Sequence, residues 1–190
     1  MALSLAEYNE LAATLESQEL DAPNGVPPDA VYEKLLAIYL LQNDVMSAKF
    51  LWKRIPASVK QRCPELERLW GVGRVLFTRD RAAVFVVLNS TQWGPNVAPI
   101  MAALIESYRE RTLELIASAY TSIGLDDVSK LLGQEREAAL QKTQALGWDL
   151  DAATQMVMPK AFPKEKVHHM PSEKQLERLT EYISFLEKGL

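Results

Sequence analysis

The chain has 190 residues, of which 48% are apolar and 24% charged, and its net charge is −4 at pH 7. That length buries a sizeable core without disulfides or metal as staples, and the apolar content excludes a disordered chain. The acidic balance argues against wholesale nucleic-acid binding, which needs a basic excess.

The first half of the sequence predicts helices in pairs. Leu5, Tyr8, Leu11, Ala12 and Leu15 recur at three- and four-residue spacing, the pattern of an amphipathic helix. A breaker cluster of Pro23, Asn24, Gly25, Pro27 and Pro28 follows. Val31 to Leu40 predicts a largely apolar second helix, and Asn43-Asp44 a turn and cap before a third helix over Met46 to Ile55. Pro64 suits a first helical position and opens Glu65 to Phe77. Asp80 opens a segment containing Ala82 to Leu88, whose apolar run fits a buried strand or a helix; its helical surroundings favour the helix.

Residues 36–53 laid over 72–89, an offset of 36, place Leu40 on Leu76, Leu41 on Phe77, Asp44 on Asp80, Ala48 on Val84 and Phe50 on Val86. Each copy reads helix, Asp-containing turn, helix, at a period near that of helical solenoids.

In the second half, Ile100 to Tyr120 predicts one long helix. Shorter elements follow: a strand-like Thr121-Ser122-Ile123, a helix capped by Asp126 or Asp127 and stopped by Gly133, and a helix from Glu135 to Leu146 stopped by Gly147. Trp148 and Met156 to Met158 are expected as strands joined by a polar turn around Asp149 and Asp151. That order is a winged helix with a helix-turn-helix centre. The expected fold is mostly α. A solenoid-like helical-repeat region over 1–104 precedes a winged-helix module with a small β wing over 105–159. A linker over 160–171 then leads to a C-terminal bundle helix over 172–190.

The search for chemistry predicts no enzyme, no metal and no cofactor. His168 and His169 are adjacent, not at the i, i+4 spacing of helical metal ligands. Cys63 has no nearby histidine; Arg62 beside it could lower its thiol pKa, but an inert structural cysteine is the expected reading. Gly71-Val72-Gly73 lacks the third glycine and the preceding strand of a dinucleotide loop, so close helix approach is the expected role. A lone cysteine reads as a reducing compartment. The longest apolar run, Ala82 to Leu88, is far too short for a membrane span. Met1 to Leu11 has no base to open a signal peptide, so a soluble intracellular protein is expected.

The winged helix raises a DNA reading, but its second helix mixes Glu135, Arg136, Glu137, Gln141, Lys142 and Gln144, and the wing has acids and no base. Protein contact is the expected role. Charge is uneven: residues 1–48 set Lys34 against eight acids, and residues 49–81 set nine bases against three acids. The two stretches either neutralise one another or present a basic patch to an acidic protein. The terminal helix carries Leu176, Leu179, Ile183, Leu186 and Leu190 at steps of 3, 4, 3 and 4, a coiled-coil-like seam widened by Tyr182 and Phe185. The helix either folds back on its own domain or meets partner helices, and the candidate partner-contacting residues are Leu176, Leu179, Tyr182, Ile183 and Leu186.

Residues 48–56, Ala-Lys-Phe-Leu-Trp-Lys-Arg-Ile-Pro, are followed in order by Gln92-Trp93, Ala119 to Ile123, Gly147-Trp148 and Arg178 to Tyr182. Together they resemble the subunit-eight family of the COP-9 (constitutive photomorphogenesis 9) signalosome, whose members carry a PCI domain. The resemblance implies helical repeats, a winged helix and C-terminal helices, in a complex that removes a ubiquitin-like modifier from cullins and so restrains cullin-RING ubiquitin ligases. It further implies a scaffold without catalytic residues, because the family's zinc isopeptidase is another subunit. The partners it implies are other signalosome subunits, above all subunit three, met through the winged helix and a shared helical bundle in the cytoplasm and nucleus. The competing reading is a free-standing winged-helix nucleic-acid binder, supported by the fold and the basic 49–81 stretch.

Overall fold

The structure is a computed structural model describing residues 5–151, 154–162 and 172–188. Helix α1 (Leu5–Leu20) buries Tyr8, Ala12 and Leu15 against α2 (Asp29–Leu41). Between them lies a short 3-10 turn at Pro23–Gly25, where the breaker cluster falls. Helix α2 is the hub. It packs on α1, α3 (Val45–Arg54), α5 (Pro64–Thr78) and α7 (Ala98–Ala119). That surrounding explains why its apolar residues exceed one stripe: Leu35, Leu36, Ala37, Ile38 and Leu40 are all fully buried.

Helix α4 (Ala57–Arg62) is an element the sequence reading did not contain. It is six residues long and buries only Val59, too little for a periodic signal. Helix α6 (Arg81–Ser90) settles the ambiguous apolar run. Val84, Phe85 and Leu88 are buried while Val86 is exposed, a helical pattern rather than an alternating one.

The offset of 36 is visible in the geometry. Asn43 and Arg79 both adopt left-handed backbone, at φ 62° and 60°. The next residue in each copy caps a helix: Asp44 accepts from the Ser47 amide at 2.9 Å, and Asp80 from the Ala83 amide at 3.2 Å. Ala48 and Val84 are buried, and Phe50 and Val86 face out. The copies part at Leu41, which is buried, and Phe77, which is exposed.

Helix α7 runs through residue 104 and serves two cores. Its first half, to Tyr108, belongs to the core of α1 to α6. Its second half, from Leu113, belongs to a second core with β1 (Ile123–Gly124), α8 (Leu125–Leu132), α9 (Arg136–Ala145), β2 (Asp149–Asp151) and β3 (Met156–Met158). The three strands form an antiparallel sheet in the order β1-β3-β2, with Val157 opposite both Ile123 and Leu150. Strand, helix, turn, helix and two-stranded wing make a winged helix after a helical-repeat region.

Local details correct three expectations. The N-cap of α8 is Gly124; Asp126 and Asp127 sit inside the first turn, where they complement the helix dipole and pair with Arg136 and Lys130. Trp148 is not in a strand. Its amide donates to the Thr143 carbonyl at 3.1 Å, closing α9, and the strand begins one residue later. Asp149 and Asp151 therefore belong to β2, and Thr154-Gln155 forms the turn, with Gln155 at φ 53°.

The two cores meet at a tight joint. Phe85 of α6 and Tyr108 of α7 have ring centroids 5.4 Å apart. Gly133, which ends α8 at φ 59°, lies so close that an added Cβ would stand 2.4 Å from Phe85 Cβ. Arg109 on α7 spreads over the Phe85 ring and donates to the Leu132 carbonyl at 3.3 Å. Arg111 donates to the Leu41 carbonyl of α2 at 3.0 Å. Glu106 adds a bond from Lys142 of α9 at 2.7 Å, which is the main reason its carboxyl lies below the usual range.

Candidate partner interface

Helix α10 (Ser172–Lys188) is the clearest surface in search of a cover. The 3-4 spacing predicted the helix, and all five candidate residues lie on it. Leu176, Leu179, Tyr182, Ile183 and Leu186 are exposed, from 56% for Leu179 to 67% for Tyr182. Phe185 beside them is more exposed still. Leu190, the last seam position, and most of the linker (163–171) lie outside the described residues. Most of the stability of an amphipathic helix such as this one comes from packing of its apolar face rather than from its 17 residues alone. Apolar side chains crowded on one short helix gain most from a partner that removes them from water.

The winged helix offers phosphate little. Arg136 is paired with Asp126 at 3.3 Å and also bonds Gln155. Lys142 is held by Glu106, and Lys160 beside the wing pairs with Asp149 at 3.2 Å. The cations that would meet a nucleic-acid backbone are already neutralised by carboxylates.

Other sequence candidates resolve into structure. Burial first, and then the Asp29 carboxylate, push the Cys63 thiol up to about 11, and Arg62 offsets only part of this. At pH 7 it is a protonated, weak nucleophile. Gly73 does mark close approach: an added Cβ would lie 3.3 Å from the Leu40 side chain of α2 and 3.1 Å from the Trp70 ring. Gly71 faces open space, so close approach explains only one of the two glycines. His168 and His169 lie outside the described residues. Among the described residues no group of three or more His, Cys, Asp or Glu is placed to hold a metal ion. No helix there is long and apolar enough to cross a membrane.

The uneven charge is partly neutralised across the fold. Arg54 makes a two-pronged bond to Glu19, at 2.7 and 2.6 Å, and Arg62 pairs with Asp29 at 2.8 Å. Lys60 lies over the Trp52 ring, and Trp52 stacks on Trp70 at 5.7 Å.

Helical repeats joined through one long helix to a small winged helix define a PCI-like domain. The comparisons carry this further. Residues 28–168 match the CSN8/PSMD8/EIF3K family. The chain is 41% identical over 184 residues to COP9 signalosome complex subunit 8 of Danio rerio, covering 96% of each chain. It is 40% identical to the Xenopus laevis subunit 8 over 98% of this chain and 96% of that one, and 34% identical to the Arabidopsis thaliana subunit 8 over 98% and 95%. The chain belongs to the CSN8/PSMD8/EIF3K family, among relatives named as signalosome subunit 8.

Proposed function

We propose that the chain is a non-catalytic scaffold subunit of a COP9 signalosome, contributing its winged helix and terminal helix to assembly with the other subunits, subunit three among them. The observation that carries this reading is the uncovered apolar seam on α10. It is too exposed for a free helix and is spaced to fit between other helices. The full-length similarity to subunit 8 chains supports the identity of the complex. The complex's work, on this reading, is removal of a ubiquitin-like modifier from cullins in cytoplasm and nucleus, with this chain holding rather than cutting.

The test is tagged purification from cells, with identification of the chains that co-purify. Signalosome subunits are expected with the wild-type chain, and the assembled complex should cleave the modified cullin while the isolated chain does not. Cleavage by the purified chain alone, or a purification free of signalosome subunits, would overturn the proposal. Fluorescence from a tagged chain in both cytoplasm and nucleus is the expected distribution.

A further inference from the structure

Away from α10, a groove of about 680 Å³ opens beside the first inter-helix turn, lined by Asn43, Arg81, Tyr108, Arg111, Leu115 and Phe162 among others. It meets a second hollow of about 560 Å³ that shares Asn43, Arg81 and Tyr108 and extends to Met46, Phe77 and Arg79. Two half-buried arginines line this surface with no carboxylate partner among the described residues. Arg81 rests over the Tyr108 ring at 5.9 Å and makes one long bond to Thr112 Oγ1, at 3.4 Å. Arg111 spends one donor on the Leu41 carbonyl, and its Nη1 is buried without a hydrogen-bond partner. The acids on the rim do little to balance them. Asp44 is occupied by the amide and hydroxyl of Ser47, Asp80 by the amide of Ala83, and Glu114 lines the same groove as an exposed side chain that makes no ion pair with either arginine. Exposed apolar side chains stand at both ends: Leu115 and Phe162 at one, Met46 and Phe77 at the other, with Lys49 over the Phe77 ring at 5.0 Å.

Partly desolvated, unpaired guanidinium groups between apolar walls suit a carboxylate flanked by apolar side chains. The chain's own continuation does not qualify by charge. Residues 163–171 hold Lys164 and Lys166 against Glu165, with two histidines. We propose that this groove binds an extended acidic peptide segment of another protein, with a carboxylate on Arg81 and apolar side chains against Leu115 and Phe162. The site is separate from the α10 seam, and its test does not depend on assembly of a larger complex.

The probe is a fluorescein-labelled hexapeptide, Glu-Leu-Asp-Phe-Asp-Glu with blocked ends, titrated with the full chain and read by fluorescence anisotropy. Its neutral counterpart replaces each acid by the matching amide. The acidic peptide is expected to bind with an affinity that falls as salt rises, and the neutral one at least about tenfold more weakly. Arg81→Gln, and independently Leu115→Glu, which places a carboxylate on an exposed wall, should each weaken binding about tenfold or more, with melting unchanged. Arg68→Gln, outside the groove, should leave binding unchanged. Absence of binding up to about 1 mM, equal binding of the neutral peptide, or indifference to both groove variants would overturn the proposal. So would self-association of the wild-type chain that excludes the peptide, since the occupant would then be a second copy.

Discussion

Helices α2 and α10 draw on similar residues, leucine and isoleucine at helical spacing, and end in opposite surroundings. Leu35, Leu36, Ile38 and Leu40 of α2 are closed off by four neighbouring helices, whereas the α10 leucines stand in water. Composition does not separate them. What separates them is their place in the chain: α2 lies between α1 and α3, eight and three residues away, with α5 and α7 folding back on it, and α10 follows a linker of about a dozen residues. An apolar stripe that neighbouring helices fold against becomes core, and the same stripe beyond a linker stays exposed to water.

The contrast is sharpened by substitutions on either side of it. The largest loss of stability is expected where a side chain is locked into the closed part. Trp148 is buried in the second core, edge-on to Phe162 at 6.5 Å, and Trp148→Ala should cost about 3–5 kcal/mol in a thermal or urea melt. An unchanged melt would mark Trp148 as peripheral. Next comes Gly133→Ala, which meets Phe85 at 2.4 Å and also strains a left-handed residue; about 2–4 kcal/mol is expected. Gly147→Ala is its control, because the backbone is equally left-handed at φ 71° but the space is empty, so only about 1 kcal/mol should be lost.

Smaller effects fall on the paired caps. Asp44→Ala and Asp80→Ala should each cost about 1 kcal/mol, the first more, since Asp44 holds both the amide and hydroxyl of Ser47. The Ser47 amide, then its hydroxyl, keep the Asp44 carboxyl below its ordinary value. Its contribution is therefore complete above the unfolded pKa of about 4 and disappears as pH falls through the lower folded value. Asp44→Asn should remove that part of the acid sensitivity in pH-resolved melts.

The smallest effect on folding belongs to α10. Leu179→Asp with Ile183→Asp should leave melting of the isolated chain unchanged and, on the proposed function, abolish co-purification of other subunits, because each charge would be buried only in the proposed interface. Lowered melting with intact assembly would mean that the seam closes on its own domain. Truncation after Pro171 should reproduce the double variant.

The sequence carried the long elements well, because each has either a cap or an apolar period. The repeat was readable at Asp44 and Asp80, where one atom type at one spacing does one job. Its other half was hidden: nothing about an arginine announces the left-handed turn at Arg79, which matches Asn43 only once the backbone is known. The misplaced cap of α8 has a physical reason too, since two adjacent acids suit a first helical turn as well as a cap. The α10 helix and the exposure of Leu176, Leu179, Ile183 and Leu186 along it follow the local period, while Leu190 lies outside the described residues. The groove was not legible, because residues 43, 81, 111 and 162 converge only through packing.

Arg109 and Arg111, two positions apart on α7, hold the last carbonyls of helices in different halves of the molecule, Leu132 and Leu41. A twist of α7 would strain both bonds, which act beside the Phe85–Tyr108 ring contact, the close approach of Gly133 and the Lys142–Glu106 bond in holding the halves at one angle. A subunit with a preset angle reaches its neighbours with less orientational entropy left to lose. A small angular error at this joint would be magnified along the length of any assembly built on it.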